Sequence, residues 1–285
     1  MLRNEIQKKT GLTRKAIEYY EIKGLINPQK AENGYRYYSE EDLEILRKIT
    51  LFRKLGIKID DVKKLISYDI NYLSSILRNK QHQIDLDKKR EKVLELIIKG
   101  VSEEIISEKI KIIDVEETIY ERLIGAFPGY FGQIFFAAYK GFLNEPLDKD
   151  GEEAYEELVN YLDLLPALDL TEDEIAYIDE LSSTFDMESL GAINEEKIRA
   201  VENIEEWLND NKDSISKYQD YKSSEAYLNS PIKVIYDKLQ KYMVENKYYE
   251  IAIPLLRKMS KSYDDYYKKL LKANDLYLMQ KSKGK

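Results

Sequence analysis

Thr13, Arg14, Lys15, Tyr19, Tyr20, Lys23, Arg36 and Tyr38 gather hydroxyl donors and cations into one short stretch of the chain. Such side chains suit hydrogen bonds to phosphate oxygens and, from the start of a helix, to base edges. Other chemistries are largely closed. With 0 Cys there is no disulfide, no thiolate nucleophile and no Cys-ligated metal, and His82, the one His, cannot build a triad or a multi-histidine zinc site alone. The 53 carboxylates contain no pair that stands out, and there is no phosphate-binding glycine loop. We therefore expect no enzyme activity, no catalytic residue, no metal and no cofactor.

The elements that would position those donors are written in caps and breakers. Asn4 to Lys9 reads as a short helix ending at Thr10-Gly11, and Thr13 caps a second helix from Arg14 to about Ile22, closed by Gly24. Two short helices around a tight turn make a helix-turn-helix, whose second helix can lie in a major groove. Leu25-Ile26-Asn27-Pro28 and Tyr35-Arg36-Tyr37-Tyr38 flank Glu32-Asn33-Gly34, a strong hairpin-turn signal, so a wing is expected, with Arg36 and Tyr38 on one side of its second strand. One or two of Tyr19, Tyr20 and Tyr37 suit a core role beneath it. Ser39-Glu40-Glu41-Asp42 resembles a capping box and opens a helix with Leu43, Leu46, Ile49 and Phe52 inward until Gly56. Asp60 should cap another helix that buries Val62, Leu65 and Ile66.

In order and spacing, T-G-L-T-R-K-A-I-E-Y-Y-E-x-K-G-L, N-G-Y-R-Y-Y-S-E-E-D-L and F-R-K-L-G-I-K-I-D-D-V-K-K-L resemble the DNA-binding head of the MerR family of transcription regulators, over about residues 3 to 66. The resemblance implies that Tyr19, Tyr20, Arg36 and Tyr38 hold phosphates while Arg14 and Lys15 lie near bases. It also implies a dimer on an overlong promoter spacer, effector-driven untwisting of the DNA, and RNA polymerase as a partner at the promoter. Family members usually carry Arg before the Tyr pair, whereas this chain has Glu18. Either Glu18 turns away to pair with Arg14 or Lys15, or the local backbone register differs.

From about Asn71 to Lys99 no Pro or Gly interrupts the chain, which permits one helix of ~29 residues, about 43 Å long. Leu73, Ile76, Leu77 and Ile84 at one end and Val93, Leu94, Ile97 and Ile98 at the other are apolar, with a charged middle from Asp85 to Lys92. An antiparallel pairing of two copies fits this interrupted seam, with Leu73, Leu77, Ile84, Leu94 and Ile97 as dimer contacts, and the family resemblance suggests the same. His82 should be interfacial or solvated.

The net charge of −8 is polarised: residues 1–66 carry +5, residues 67–109 carry 0 and residues 110–285 carry −13. A basic head on an acidic body is the distribution expected when only the head touches a polyanion. Beyond Gly100, helix starts recur at Ser102, Thr171 with Glu174, Asn194, and Ser230 with Pro231, so residues 110–285 should form a compact bundle of six to eight helices. Phe131, Phe135, Tyr139 and Phe142 recur at helical spacing behind the Pro128-Gly129 break and beside small residues, and with Phe127 and Tyr130 on either side of that break they make an aromatic wall suited to an apolar ligand pocket or to a core. Trp207 could stack on a flat or cationic ligand, and the many C-terminal tyrosines suit a polar-rimmed pocket.

The expected fold class is mainly α: an N-terminal winged helix-turn-helix with a small β-hairpin wing (residues 1–70), a long antiparallel coiled-coil dimerisation helix (71–99) and a C-terminal all-α effector bundle (100–285). The expected function is sequence-specific regulation of transcription by a homodimer that binds double-stranded promoter DNA and a small organic effector, aromatic or cationic. The alternatives make the body a protein-interaction domain, or an enzyme with a regulatory DNA-binding head. No apolar run is long enough for a membrane span and the N-terminus has no signal-like stretch, so no membrane partner and a cytoplasmic location are expected.

Overall fold

A computed structural model describes residues 1–31, 34–67 and 72–283. Glu32 and Asn33 of the expected turn and Asn71 at the expected helix start lie outside them. The fold is mainly α with one two-stranded antiparallel sheet. It divides into two compact units, Met1–Ile76 and Leu77–Lys285, and the boundary falls inside a long helix.

The first unit is built from α1 (Arg3–Thr10), α2 (Arg14–Ile22), β1 (Gln29–Lys30), β2 (Arg36–Tyr37), α3 (Glu40–Lys54), α4 (Ile59–Ser67) and the start of α5 (Tyr72–Ile98). The expected punctuation is present. Gly11 takes φ 71° at the end of α1, the Thr13 hydroxyl accepts from Ala16 N at 3.2 Å, and Ser39 and Asp42 form a reciprocal capping box. Ile6, Ile17, Leu43, Leu46, Ile49 and Val62 form the buried core, with Leu25, Ile26, Tyr20 and Tyr38 around them.

Three expectations shift here. The first wing strand is Gln29–Lys30, paired as Gln29↔Tyr37 and Lys30↔Arg36, because Leu25 and Ile26 are drawn into the core and leave no strand at 25–28. Asp60 lies inside the first turn of α4 rather than before it. Leu73, expected in the dimer seam, packs with Tyr72 and Ile76 on the core of this unit.

In the second unit α5 continues beside α6 (Glu103–Ala126), α7 (Tyr130–Lys140), α8 (Lys149–Leu164), α9 (Glu172–Leu181), α10 (Met187–Glu202), α11 (Ile204–Asp210), α12 (Lys212–Ser223), α13 (Glu225–Leu228), α14 (Pro231–Glu245), α15 (Tyr248–Met259) and α16 (Lys261–Lys283). The described residues of the body therefore hold eleven helices from α6 onward, more than the expected six to eight. Short polar breaks at Asn203, Asn211 and Ser224 divide one stretch into small helices. Thr171 with Glu174 and Ser230 with Pro231 cap helices as read, and Gly100, at φ 71°, follows the end of α5. Asn194 is corrected: it sits inside α10, whose cap is Asp186, and its amide donates to Ala138 O at 3.5 Å.

The main core joins α6, α7, α8, α14, α15 and the start of α16 around Phe127, Phe136, Leu158, Ala252 and Tyr248. Helices α6 and α7 cross at Gly132, where a Cβ would stand 2.5 Å from Phe127 O and 2.7 Å from Leu123 O. Only a hydrogen at that position allows the approach. No helix among the described residues is long and apolar enough to cross a membrane.

Candidate functional site

Helix α2 presents Thr13, Arg14, Lys15, Tyr19 and Lys23 to solvent, with the Lys23 ammonium 5.8 Å from the centre of the Tyr19 ring. Thr13, Arg14 and Lys15 stand at the helix start, where the Thr13 cap is already satisfied, and Tyr19 and Lys23 stand towards its other end. Ile17 and Tyr20 face the other way, into the core, and burial raises the Tyr20 phenol above its ordinary pKa. Glu18 turns sideways and accepts from Arg14 Nε at 2.9 Å while pairing with Arg3 at 3.1 Å. The Arg14 hydrogen bond holds its carboxyl below the usual range. The first of the two readings of Glu18 is therefore the geometry seen.

On the wing, Arg36 is half-buried and its Nε pairs with Glu21 of α2 at 2.6 Å, which raises its pKa. Tyr38 does not share its surface. It is 2 % exposed and its buried hydroxyl has no hydrogen-bond partner among the described residues, whereas Tyr35 and Tyr37 are exposed. The strand's own alternation runs Tyr35 and Tyr37 out and Tyr38 in, because Tyr38 enters the core just before the α3 cap. Arg14 and Arg36 each hold a carboxylate, Glu18 and Glu21, while Lys15 and Lys23 pair with no carboxylate among the described residues.

Along α5, Leu77, Ile84, Leu94 and Ile97 are each at least half exposed, as is Ile98, while Leu86 and Val93 on the opposite face pack with Ile113 of α6. The buried face also carries charge. Lys140 Nζ donates to Asp85 Oδ2 at 2.6 Å, Lys89 pairs with the fully buried Glu116, and Arg90 pairs with Glu117 at 2.5 Å.

His82 sits in this layer, so the expectation of a solvated or interfacial side chain is corrected. It is 1 % exposed, stacked 3.9 Å from the Tyr120 ring and 4.8 Å from Phe136, and neither ring nitrogen has a hydrogen-bond partner among the described residues. Its polar sequence neighbours point elsewhere on the helix, which the local sequence could not reveal. Burial, with Lys140 nearby, depresses its pKa to about 4. A depressed histidine pKa makes the fold lose stability as pH falls from about 6.5 towards 4, where the unfolded chain takes up the proton and the folded one resists it. With one His in the chain, a proton NMR titration reads this directly. The expected imidazole signal stays in the neutral position down to about pH 5, and a midpoint near 6.5 contradicts the buried placement.

The aromatic segment divides by depth. Phe127 is fully buried against Phe135, Tyr242 and Tyr248, and Tyr139 is buried with its hydroxyl 2.9 Å from that of Tyr248. Phe131 and Phe135 are half-buried against the same core, and Tyr130 lies under the Arg78 guanidinium at 5.4 Å. Trp207 stands apart, lining a groove of about 490 Å³ with Ile204, Tyr266, Ala273 and Tyr277.

Arg78 carries no signal in the sequence, yet it is fully buried and donates to Ser182 O at 3.0 Å, Phe185 O at 2.8 Å and the Gln133 side chain. Among the described residues, no group of three or more His, Asp or Glu stands arranged to hold a metal ion.

A helix-turn-helix with a short wing and a cationic, tyrosine-bearing second helix defines the class of winged DNA-binding heads. The family described as "MerR HTH family regulatory protein" matches residues 3–69. The HTH-type transcriptional regulator CueR of Yersinia pestis is 33% identical over 105 residues, covering 33% of this chain and 76% of that protein. The CueR of Salmonella typhi is 40% identical over 65 residues, 22% of this chain and 47% of that protein, and the multidrug-efflux transporter 2 regulator of Bacillus subtilis is 34% identical over 87 residues, 30% and 31%. The chain thus spans about half the length of the Salmonella relative. The chain belongs to the MerR family. No solved structure matches it.

Proposed function

We propose that the protein is a homodimeric, DNA-binding transcription regulator whose helical body receives a small organic effector. The observation that carries this reading is the exposure along α2 of Thr13, Arg14, Lys15, Tyr19 and Lys23, with Arg36 of the wing bonded to Glu21 of the same helix. The α2 start faces base edges, and Tyr19, Lys23 and Arg36 hold phosphates. Tyr20 acts from beneath, supporting Tyr19, whose ring meets it edge-on at 5.7 Å, and Tyr38 anchors the wing or reaches phosphate when the wing moves.

Two copies pair through the exposed stripe Leu77, Ile84, Leu94 and Ile97, antiparallel, with Leu73 anchoring the helix start to its own head. The effector enters at the groove of Trp207 or at the separate aromatic segment, whose accessible members are the half-buried Tyr130, Phe131 and Phe135, with Phe127 and Tyr139 deeper in the core. Effector binding shifts the balance between two DNA geometries, with RNA polymerase reading the result at the promoter.

Replacing Arg36 with Ala tests the head. Fluorescence anisotropy with the chain's own upstream promoter is expected to show affinity about tenfold weaker, and a slope of log K against log salt shallower by ~1. An unchanged slope contradicts a phosphate contact for Arg36. If the chain binds no duplex at low salt, the whole reading fails.

A further inference from the structure

Lys222 lies at the end of α12, and its ammonium stands 4.1 Å from the centre of the Tyr227 ring, 4.9 Å from Tyr236 and 5.8 Å from Tyr218. The rings come from three successive helices, α12, α13 and α14. Lys222 also donates to the Tyr227 hydroxyl, and Tyr221 meets Tyr227 edge-on at 5.3 Å. Among the described residues no carboxylate pairs with this lysine. Its charge is met by π faces and one phenol, and the hydrogen bond to that Tyr227 phenol raises its pKa.

The rings are held before any ligand arrives. Tyr227 is buried, and its backbone is pinned from both sides, with its N–H donating to Ser224 Oγ at 3.2 Å and its carbonyl accepting from Ser230 Oγ at 2.6 Å. Tyr218 and Tyr236 remain open to solvent, so the cage has a mouth. Aromatic faces converging on a cation without a counter-ion are the chemistry by which alkylated ammonium groups are recognised. A primary ammonium is the more strongly hydrated occupant. An alkylated cation gives up less hydration on entering.

We propose that Tyr218, Tyr227 and Tyr236 form a binding site for small alkylated ammonium cations, and that Lys222 is its built-in competitor, swinging out when such a cation enters. Binding at the cage stands on the helical body alone. Its use as an effector input rests on the regulator reading above.

The test is calorimetric titration of tetramethylammonium chloride into the full chain, with sodium chloride matching the ionic strength. Lys222→Met is expected to bind saturably, the unaltered protein about tenfold more weakly because the competitor must first leave, and Lys222→Met with Tyr236→Leu not at all. Tyr236 is half exposed, so its loss leaves the core intact, and circular dichroism confirms each fold. The cage is overturned by any of three results: no saturable binding to folded Lys222→Met, equal affinity with and without Lys222, or binding indifferent to Tyr236→Leu. Saturable binding without operator binding supports the cage and strikes the regulator reading, so the two fail separately.

Discussion

Replacing Ile84 with Asp is expected to leave a folded monomer and to lower operator affinity by roughly a hundredfold or more. Ile84 is 53% exposed on α5, between Leu77 and Leu94, while the helix's other face is already occupied by α6 and α7. The substitution therefore leaves the core of the single chain untouched and places a carboxylate where two apolar stripes would meet. A dimer holding two half-sites gains the second contact as an intramolecular event, and that gain, on the order of a hundredfold to ten-thousandfold, disappears in a monomer. Sedimentation velocity reads the first half of the expectation and anisotropy with a two-half-site duplex the second. A variant that remains dimeric refutes the seam. A monomer with unchanged operator affinity refutes the paired reading of DNA.

The largest expected loss of stability is at Gly132. A Cβ there meets two backbone carbonyl oxygens and, at 2.9 Å, the Cα of Ile124, none of which can rotate aside. Gly132 N–H also donates to Phe127 O at 2.9 Å, so the turn before α7 and the crossing with α6 share one tight contact. Ala at this position must push the helices apart and loosen Phe127, Phe136 and Tyr120 together. Overpacking of this kind costs about 3 kcal/mol, which a urea melt of the variant resolves. Stability equal to the parent's would mean that α6 and α7 do not approach this closely.

What could be read beforehand was local. Thr13, Ser39, Asp42, Thr171 and Ser230 announce helix starts through their own hydroxyls and carboxylates, and each does so within three residues. Helix α2 and its exposed donors follow from the same short-range logic. The wing's first strand was misplaced because Leu25 and Ile26 answer to a core assembled from α1, α2 and α3, which no short window contains.

His82 illustrates the same limit at longer range. Its neighbours along the chain are polar, but its neighbours in space, Tyr120 and Phe136, arrive from α6 and α7. The abundance of tyrosine near the C-terminus was visible, whereas the convergence of three of them on Lys222 depends on the angles between three short helices.

Arg78 sets a mechanical condition on the body. Its guanidinium is sealed from water, and its acceptors include two backbone carbonyls in the connection between α9 and α10, more than a hundred residues downstream. Turning α5 about its own axis by a single residue would strand that charge in a dry interior, at a cost of several kcal/mol. The helix and the Ser182–Phe185 corner are thus fastened like a bolt in its socket: a signal that turns α5 within the body by that much must carry the corner along.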